Sequence, residues 1–256
     1  KNNISYSSIV QPSVFETNSF LIKHRPTLIE YSVFVGSIEI FKFLYNKNVE
    51  INPSIWLYAV HSQKLDLIQL FEEYFLPKEQ ETYQLCLFES IKCHHNELAH
   101  YFLNKCELNS NESNDLTSKI IKSYNFEYFP NDLNNEFAFY NLCKYDYPSL
   151  VDFLIHSVDI NKKICRKTMK KEEEKTALQI SVEKENFDIV QILLTKKDID
   201  INCFLNYRSN YYYKDELYQC SALHIAVSKE NIEIINLLLS HEKIDENLKL
   251  HYEYQK

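Results

Sequence analysis

Cys86, Cys93, His94, His95 and His100 put thiol and imidazole side chains in one short stretch, the place in this chain where metal chemistry would be sought first. Their spacing argues against it. Zinc sites pair ligands about two to four residues apart on a turn, whereas Cys86 falls in one helical run, His100 in the next, and His94 and His95 in the polar break between them. The expectation is no metal and no cofactor. Cys203 and Cys220 bracket an insertion and could approach at its base. With seven cysteines scattered without a framework, the thiols read as reduced, small apolar packers. A chain with one glycine cannot carry G-x-G-x-x-G, a P-loop or G-x-S-x-G, and H-E-x-x-H is absent. A Cys-His pair could assemble only through the fold, and no spacing nominates one. The chain reads as a non-enzyme, without catalytic residues or a small-molecule substrate.

Charge narrows the partner. The net charge of -8 opposes a phosphate-tracking surface, so nucleic acid is not the expected ligand. The local exception is Lys162, Lys163, Arg166, Lys167, Lys170 and Lys171, which crowd one segment and are followed at once by Glu172, Glu173 and Glu174. A solvated loop is the default there, and an anion or nucleic-acid patch the alternative. No apolar run reaches the ~18 residues of a membrane span, and Lys1 to Gln11 lacks the apolar core of a signal peptide. The expected protein is intracellular, cytoplasmic and monomeric.

The elements follow from repetition. Thr176 to Asn202 and Ser221 to Asn247 are in register throughout and identical at about half their columns. In the second copy Leu223, Ile225, Ala226 and Val227 make a short apolar helical segment, and Ile232, Ile234, Ile235, Leu237, Leu238 and Leu239 a second. Lys229-Glu230-Asn231 between them is a tight turn, and Ser221 is placed as the N-cap. Each copy is a helical hairpin followed by an extended segment, Asp198 to Asn202 or Lys243 to Asn247. Units of this size cannot bury an apolar face alone, so they must stack into a solenoid.

Ser221-Ala222-Leu223-His224-Ile225-Ala226, with the leucine cluster and Ile-Asp-x-Asn behind it, resembles the T-P-L-H-x-A signature of the ankyrin repeat. The resemblance makes His224 a turn-bracing residue, with Thr176 and Gln179 at the matching upstream positions. It implies an all-α ankyrin-type solenoid of about six helix-turn-helix units with finger loops and long insertions. Older copies start at Thr27, Ser54, Leu85 and Phe137. Gly36 takes the family's glycine place between the two helices, where a left-handed backbone is wanted. Gln63, His94, Asp146, Glu185 and Glu230 stand there in the other units. The Phe- and Tyr-rich front half resembles the domain of unknown function that accompanies ankyrin repeats in many protist proteins. The organisation expected is a flank or cap over 1–26, divergent repeats over 27–161 and two well-matched repeats with inserted finger loops over 162–256, in one continuous solenoid.

Function is implied by the same resemblance: a protein-protein interaction scaffold whose unknown protein partner lies in the concave groove of finger loops and first helices. Mapped onto this chain, the outward first-helix positions are His61, Ser62, Lys92, Cys93, Glu183, Lys184, Ser228 and Lys229. The insertion Cys203 to Cys220 adds Arg208, Tyr211, Tyr212 and Tyr213, with Tyr207, Tyr218 and Lys214 near them; tyrosine and arginine are enriched at binding hot spots. The other insertion, Asn104 to Asn134, includes Leu116 to Ile121 as an extra helix. The alternative is an adaptor module of a larger enzyme or effector whose catalytic domain lies outside this segment.

Overall fold

The computed structural model describes residues 5–74, 80–132, 134–167, 171–211 and 214–255, in two compact units, Lys1–Asn125 and Phe126–Lys256. The first unit opens on α1 (Ser19–His24), whose first amides are capped by the Asn18 side chain. Three helix pairs follow, α2 (Leu28–Phe34) with α3 (Ile38–Tyr45), α4 (Ile55–Ser62) with α5 (Leu65–Tyr74) and α6 (Gln80–Lys92) with α7 (Asn96–Leu103), then α8 (Ser110–Lys122) alone. The leading helices lie side by side, α2 on α4, α4 on α6 and α6 on α8. In the second unit the pairs are α9 (Glu136–Lys144) with α10 (Pro148–Leu154), α11 (Ala177–Glu183) with α12 (Phe187–Leu194) and α13 (Ala222–Ser228) with α14 (Ile232–Leu239). There α9, α11 and α13 form one row and α10, α12 and α14 another.

Three local devices recur. At the entry to several leading helices sits a capping box, in which the N-cap oxygen takes an amide proton and the third residue's side chain returns the bond: Thr27 with Glu30, Thr176 with Gln179, Ser221 with His224. His224 therefore braces a turn, accepting the Ser221 amide on Nδ1 at 3.1 Å. Between the helices stands one left-handed residue: Gly36 at φ 73°, Gln63 and His94 at 57°, Asp146 at 65°, Glu185 at 61° and Glu230 at 57°. The glycine-site positions expected from the sequence all adopt this conformation, although only one carries the residue that enters it without strain. The third device is the side chain just after that turn, which reaches back to the preceding leading helix. His95 Nδ1 donates to the Val60 carbonyl at 3.0 Å, Asn125 Nδ2 to Ile91 at 3.0 Å and Asn186 Nδ2 to Cys143 at 2.7 Å.

Tyr124, at φ 60°, is a further left-handed residue. It follows α8, and with the strut from Asn125 it marks α8 as a leading helix of the same design. The extra helix expected at Leu116 to Ile121 is thus present but longer, starting at Ser110 behind a box formed by Asn109 and Glu112.

The all-α expectation is corrected by a five-stranded antiparallel meander in the second unit: β1 (Ile164–Lys167), β2 (Lys171–Lys175), β3 (Leu205–Tyr211), β4 (Lys214–Cys220) and β5 (His251–Gln255), in that order. The two segments read as loops, the basic run after Lys162 and the Cys203 to Cys220 insertion, are its hairpins. The tyrosines of the second fit a strand, but the first does not look like one in isolation, because Lys-Glu-Glu-Glu-Lys has little of the β-branched and aromatic character that marks one. Pairing supplies what propensity lacks. In the register Arg166 stands opposite Glu173, Lys167 opposite Glu172 and Glu172 opposite Arg208, so residues of opposite charge alternate from strand to strand. On the same face as Glu172, Asn206 donates to Glu174 at 2.9 Å and Gln219 to Asn206 at 2.8 Å. Lys170 lies outside the described residues.

The core of the first unit is aromatic: the Phe41 and Phe71 rings lie 5.2 Å apart and Trp56 meets Phe71 edge-on at 5.5 Å, all almost fully buried. The second unit is mainly aliphatic, with Leu142, Val151, Val182, Ile189, Val190, Leu193, Ala226 and Leu238 enclosed beside Phe139 and Tyr140. Among the described residues no helix is long and apolar enough to cross a membrane.

Candidate functional site

The C-terminal ends of the leading helices carry the outward positions. In the first unit α4 ends in His61 and Ser62 and α6 in Lys92 and Cys93. His61 and Cys93 come together on Glu89, one turn before Cys93. His61 Nε2 donates to Glu89 Oε1 at 3.0 Å, Lys92 Nζ donates to the same oxygen at 2.8 Å, and Cys93 Sγ lies 3.8 Å from it and 4.0 Å from His61 Nε2. Burial pushes the Glu89 carboxyl up, but the hydrogen bonds from His61 and Lys92 outweigh it and hold its pKa down to about 2. Burial, with the Glu89 charge, raises the Cys93 thiol to about 11, so it is protonated in this arrangement. The His61 ring is held against Phe20, centroids 3.9 Å apart. Ser62 turns away, donating to the Ala59 carbonyl at 2.7 Å and accepting from the Lys64 amide at 3.1 Å.

In the second unit Glu183 and Lys184 end α11. Glu183 pairs with Lys175 of β2, which also reaches Glu173 at 3.1 Å, and Lys184 lies 3.6 Å from Glu183. Burial opposes the charge on both Lys175 and Glu183, but their mutual bonding prevails, raising the lysine pKa and lowering the glutamate's. On the neighbouring end, Arg166 of β1 donates to Asn141 at 3.0 Å and lies over the Tyr140 ring at 5.6 Å, while its Nε is buried without a hydrogen-bond partner. Burial and this guanidinium hold the Lys144 ammonium below the ordinary lysine range. Ser228 and Lys229, at the end of α13, are exposed and adjoin Val227, itself 57% exposed.

Of the tyrosine-rich hairpin, Tyr212 and Tyr213 lie outside the described residues. Arg208 stands opposite Glu172 and Leu217, and Tyr211 opposite Lys214. Tyr207 occupies a cross-strand row that runs Arg166, Glu173, Tyr207, Tyr218, Tyr252. Cys203 and Cys220 are not joined in a disulfide, nor are the other five cysteines.

The residues that sequence reading missed are those which organise the ones it found: Glu89, Lys175 and Asn141, with Arg166 read only as one of a run of basic residues. For Glu89 a signal existed, since it precedes Lys92 by three residues and Cys93 by four, the spacing that places side chains on one helix face. Arg166 and Lys175 gave none, because their partners depend on the register of an unforeseen hairpin.

A family model described as ankyrin repeats in three copies matches residues 110–205 and 139–250. Its first match begins at the first residue of α8. No curated protein matches the chain at a significant level.

Proposed function

Because the chain belongs to the ankyrin-repeat family, whose members are generally protein-protein interaction modules, we propose that it is a scaffold that binds a protein partner along the ends of its leading helices and the fingers beside them. The supporting observation is in the second unit. Lys184, Val227, Ser228 and Lys229 are exposed at successive helix ends, and these rows adjoin the finger sheet, α9 touching β1 and α13 touching β4. Such a surface offers polar and cationic contacts around a central apolar one, with Tyr207 and Tyr218 half-buried in the adjacent strands, the mixture that suits a specific wet interface. In this reading the chain acts as a monomer and supplies surface, not catalysis. The remaining proposed contacts are His61, Ser62, Lys92 and Cys93 in the first unit and Glu183, Arg208 and Tyr211 in the second.

The test is capture of partners from lysate on the immobilised chain, followed by Lys184→Glu with Lys229→Glu. Loss of a captured protein in that variant, and its retention in Glu233→Lys on the exposed face of α14, is the expected result. Retention in both removes the surface from consideration.

A further inference from the structure

The convergence of His61, Glu89 and Cys93 is more specific than an interaction surface requires. An imidazole, a carboxylate and a thiol, contributed by two neighbouring leading helices, gather with Glu89 Oε1 3.0 Å from His61 Nε2 and 3.8 Å from Cys93 Sγ, and with that sulfur 4.0 Å from both ring nitrogens of His61; these are the described residues whose potential ligand atoms gather in this way. We propose that they form a binding site for a borderline-soft divalent transition ion, zinc above all, which ties α4 to α6.

The geometry is close to that of a coordination face. Metal bonds of about 2.0–2.1 Å to N or O and about 2.3 Å to S, at tetrahedral angles, require ligand separations of about 3.3 Å between N and O and about 3.6 Å from S to either. All three observed separations fall within about 0.5 Å of these values, so side-chain rotation without helix movement seats the ion. The donor set selects among metals: thiolate and imidazole favour zinc and its neighbours, and leave magnesium and calcium, which want oxygen ligands, without a site. All three residues are half-buried, which leaves the fourth position to water.

Two neighbours define the site further. His95, whose ring lies 6.4 Å from that of His61, is not a ligand: its Nδ1 donates to the Val60 carbonyl and its Nε2 takes a proton from the Gln63 amide at 2.9 Å. Lys92 is the competitor, since its ammonium occupies the Glu89 oxygen that the ion would take. Its side chain is 59% exposed and can swing into solvent. Charge balances when the ion enters: the Cys93 thiol gives up its proton to solvent, the His61 proton shifts to Nδ1 so that Nε2 offers its lone pair, and the Lys92 cation withdraws.

Cobalt(II) is the probe, titrated into the reduced full chain. A saturable thiolate-to-cobalt charge-transfer band is expected, displaced by zinc, abolished by Cys93→Ser and kept in Cys165→Ser, which removes an exposed thiol. Glu89→Gln should weaken binding by more than the roughly 10- to 100-fold that outer partners of a metal site contribute. Lys92→Met alters an exposed side chain and should tighten binding several-fold, so it decides the matter even where circular dichroism shows that a ligand substitution has unfolded the chain. No band, a band that survives Cys93→Ser in a folded protein, or unchanged affinity in Lys92→Met overturns the proposal.

Discussion

Asn161 holds Asp200 by its backbone. The Asn161 amide donates to the Asp198 carbonyl at 2.8 Å and its oxygen accepts the Asp200 amide at 2.8 Å. One repeat later Asn202 does the same to Lys243 and Asp245, at 2.8 and 2.9 Å. A single side chain thus satisfies a donor and an acceptor of the next unit's extended segment, and registers one finger on another. Asn202→Ala leaves both groups to solvent and should cost about 1–3 kcal/mol in urea denaturation. Asn202→Asp keeps the acceptor, loses the donor and should fall between. Equal stability of all three would mean that the bonds only decorate packing.

The left-handed turns offer stabilisation. Asp146 and Glu230 hold φ at 65° and 57°, which L side chains enter at a cost, and no hydrogen bond of their side chains offsets it. Asp146→Gly or Glu230→Gly should raise stability by up to about 1 kcal/mol, the relief of strain partly cancelled by the freer unfolded chain. His94→Gly should gain less, since His94 Nε2 donates to the Ser123 carbonyl at 2.7 Å. The opposite sign is expected for Gly36→Ala, where φ is 73° and the new Cβ would meet Lys64 Cγ at 3.0 Å. Thermal melts of the four variants rank them; a gain in Gly36→Ala would contradict the account.

These turns also show why so much of the helical frame was legible. Ile, Leu and Val at helical spacing, a hydroxyl before each well-matched leading helix and one residue per unit at the glycine place are local signals, readable at Glu230 without knowledge of anything distant. The sheet was not, because β2 is three glutamates between lysines and becomes a strand only when Arg166, Lys167 and Arg208 stand across from it. The site falls between. His61 and Cys93 were placed outward by their helix positions, but the oxygen on which they meet belongs to Glu89, and spacing along a sequence does not bring residues 61 and 93 together. Of Cys86, Cys93, His94, His95 and His100, the residues that sequence spacing groups, Cys93 is the one that gathers with His61 and Glu89.

A pH dependence should arise at Glu72. Lys105 Nζ donates to both its oxygens at 2.8 Å and Tyr101 Oη to Oε2 at 2.7 Å. Burial raises the carboxyl's pKa, but these bonds together bring it below the ordinary 4.5. A lowered folded value means that the stabilisation is complete above 4.5 and is lost as pH falls through the lowered value. Glu72→Gln should therefore cost about 1 kcal/mol at neutral pH, a modest figure because the Lys105 end is partly exposed and screened. In acid below that lowered value the two proteins should converge. A gap of the same size at both pH values would assign the loss to packing.

Lys175 allows the pair to be separated from its parts. Its side chain is 9% exposed and lies between Glu173 and Glu183, so Lys175→Met leaves two carboxylates facing an apolar group, with Lys184 as the remaining cation near Glu183. The loss should be about 3 kcal/mol at neutral pH, since stranding one member of a buried pair is costlier than the pair is worth. Adding Glu183→Leu removes one of the two stranded charges and should recover much of the loss, Glu173 keeping the rest. The double-mutant cycle, read by urea denaturation, then gives the coupling directly. Additive losses would mean that Lys175 acts through its packing beneath the finger sheet, whereas recovery would show that the pair positions β2 against α11 more than it stabilises the fold.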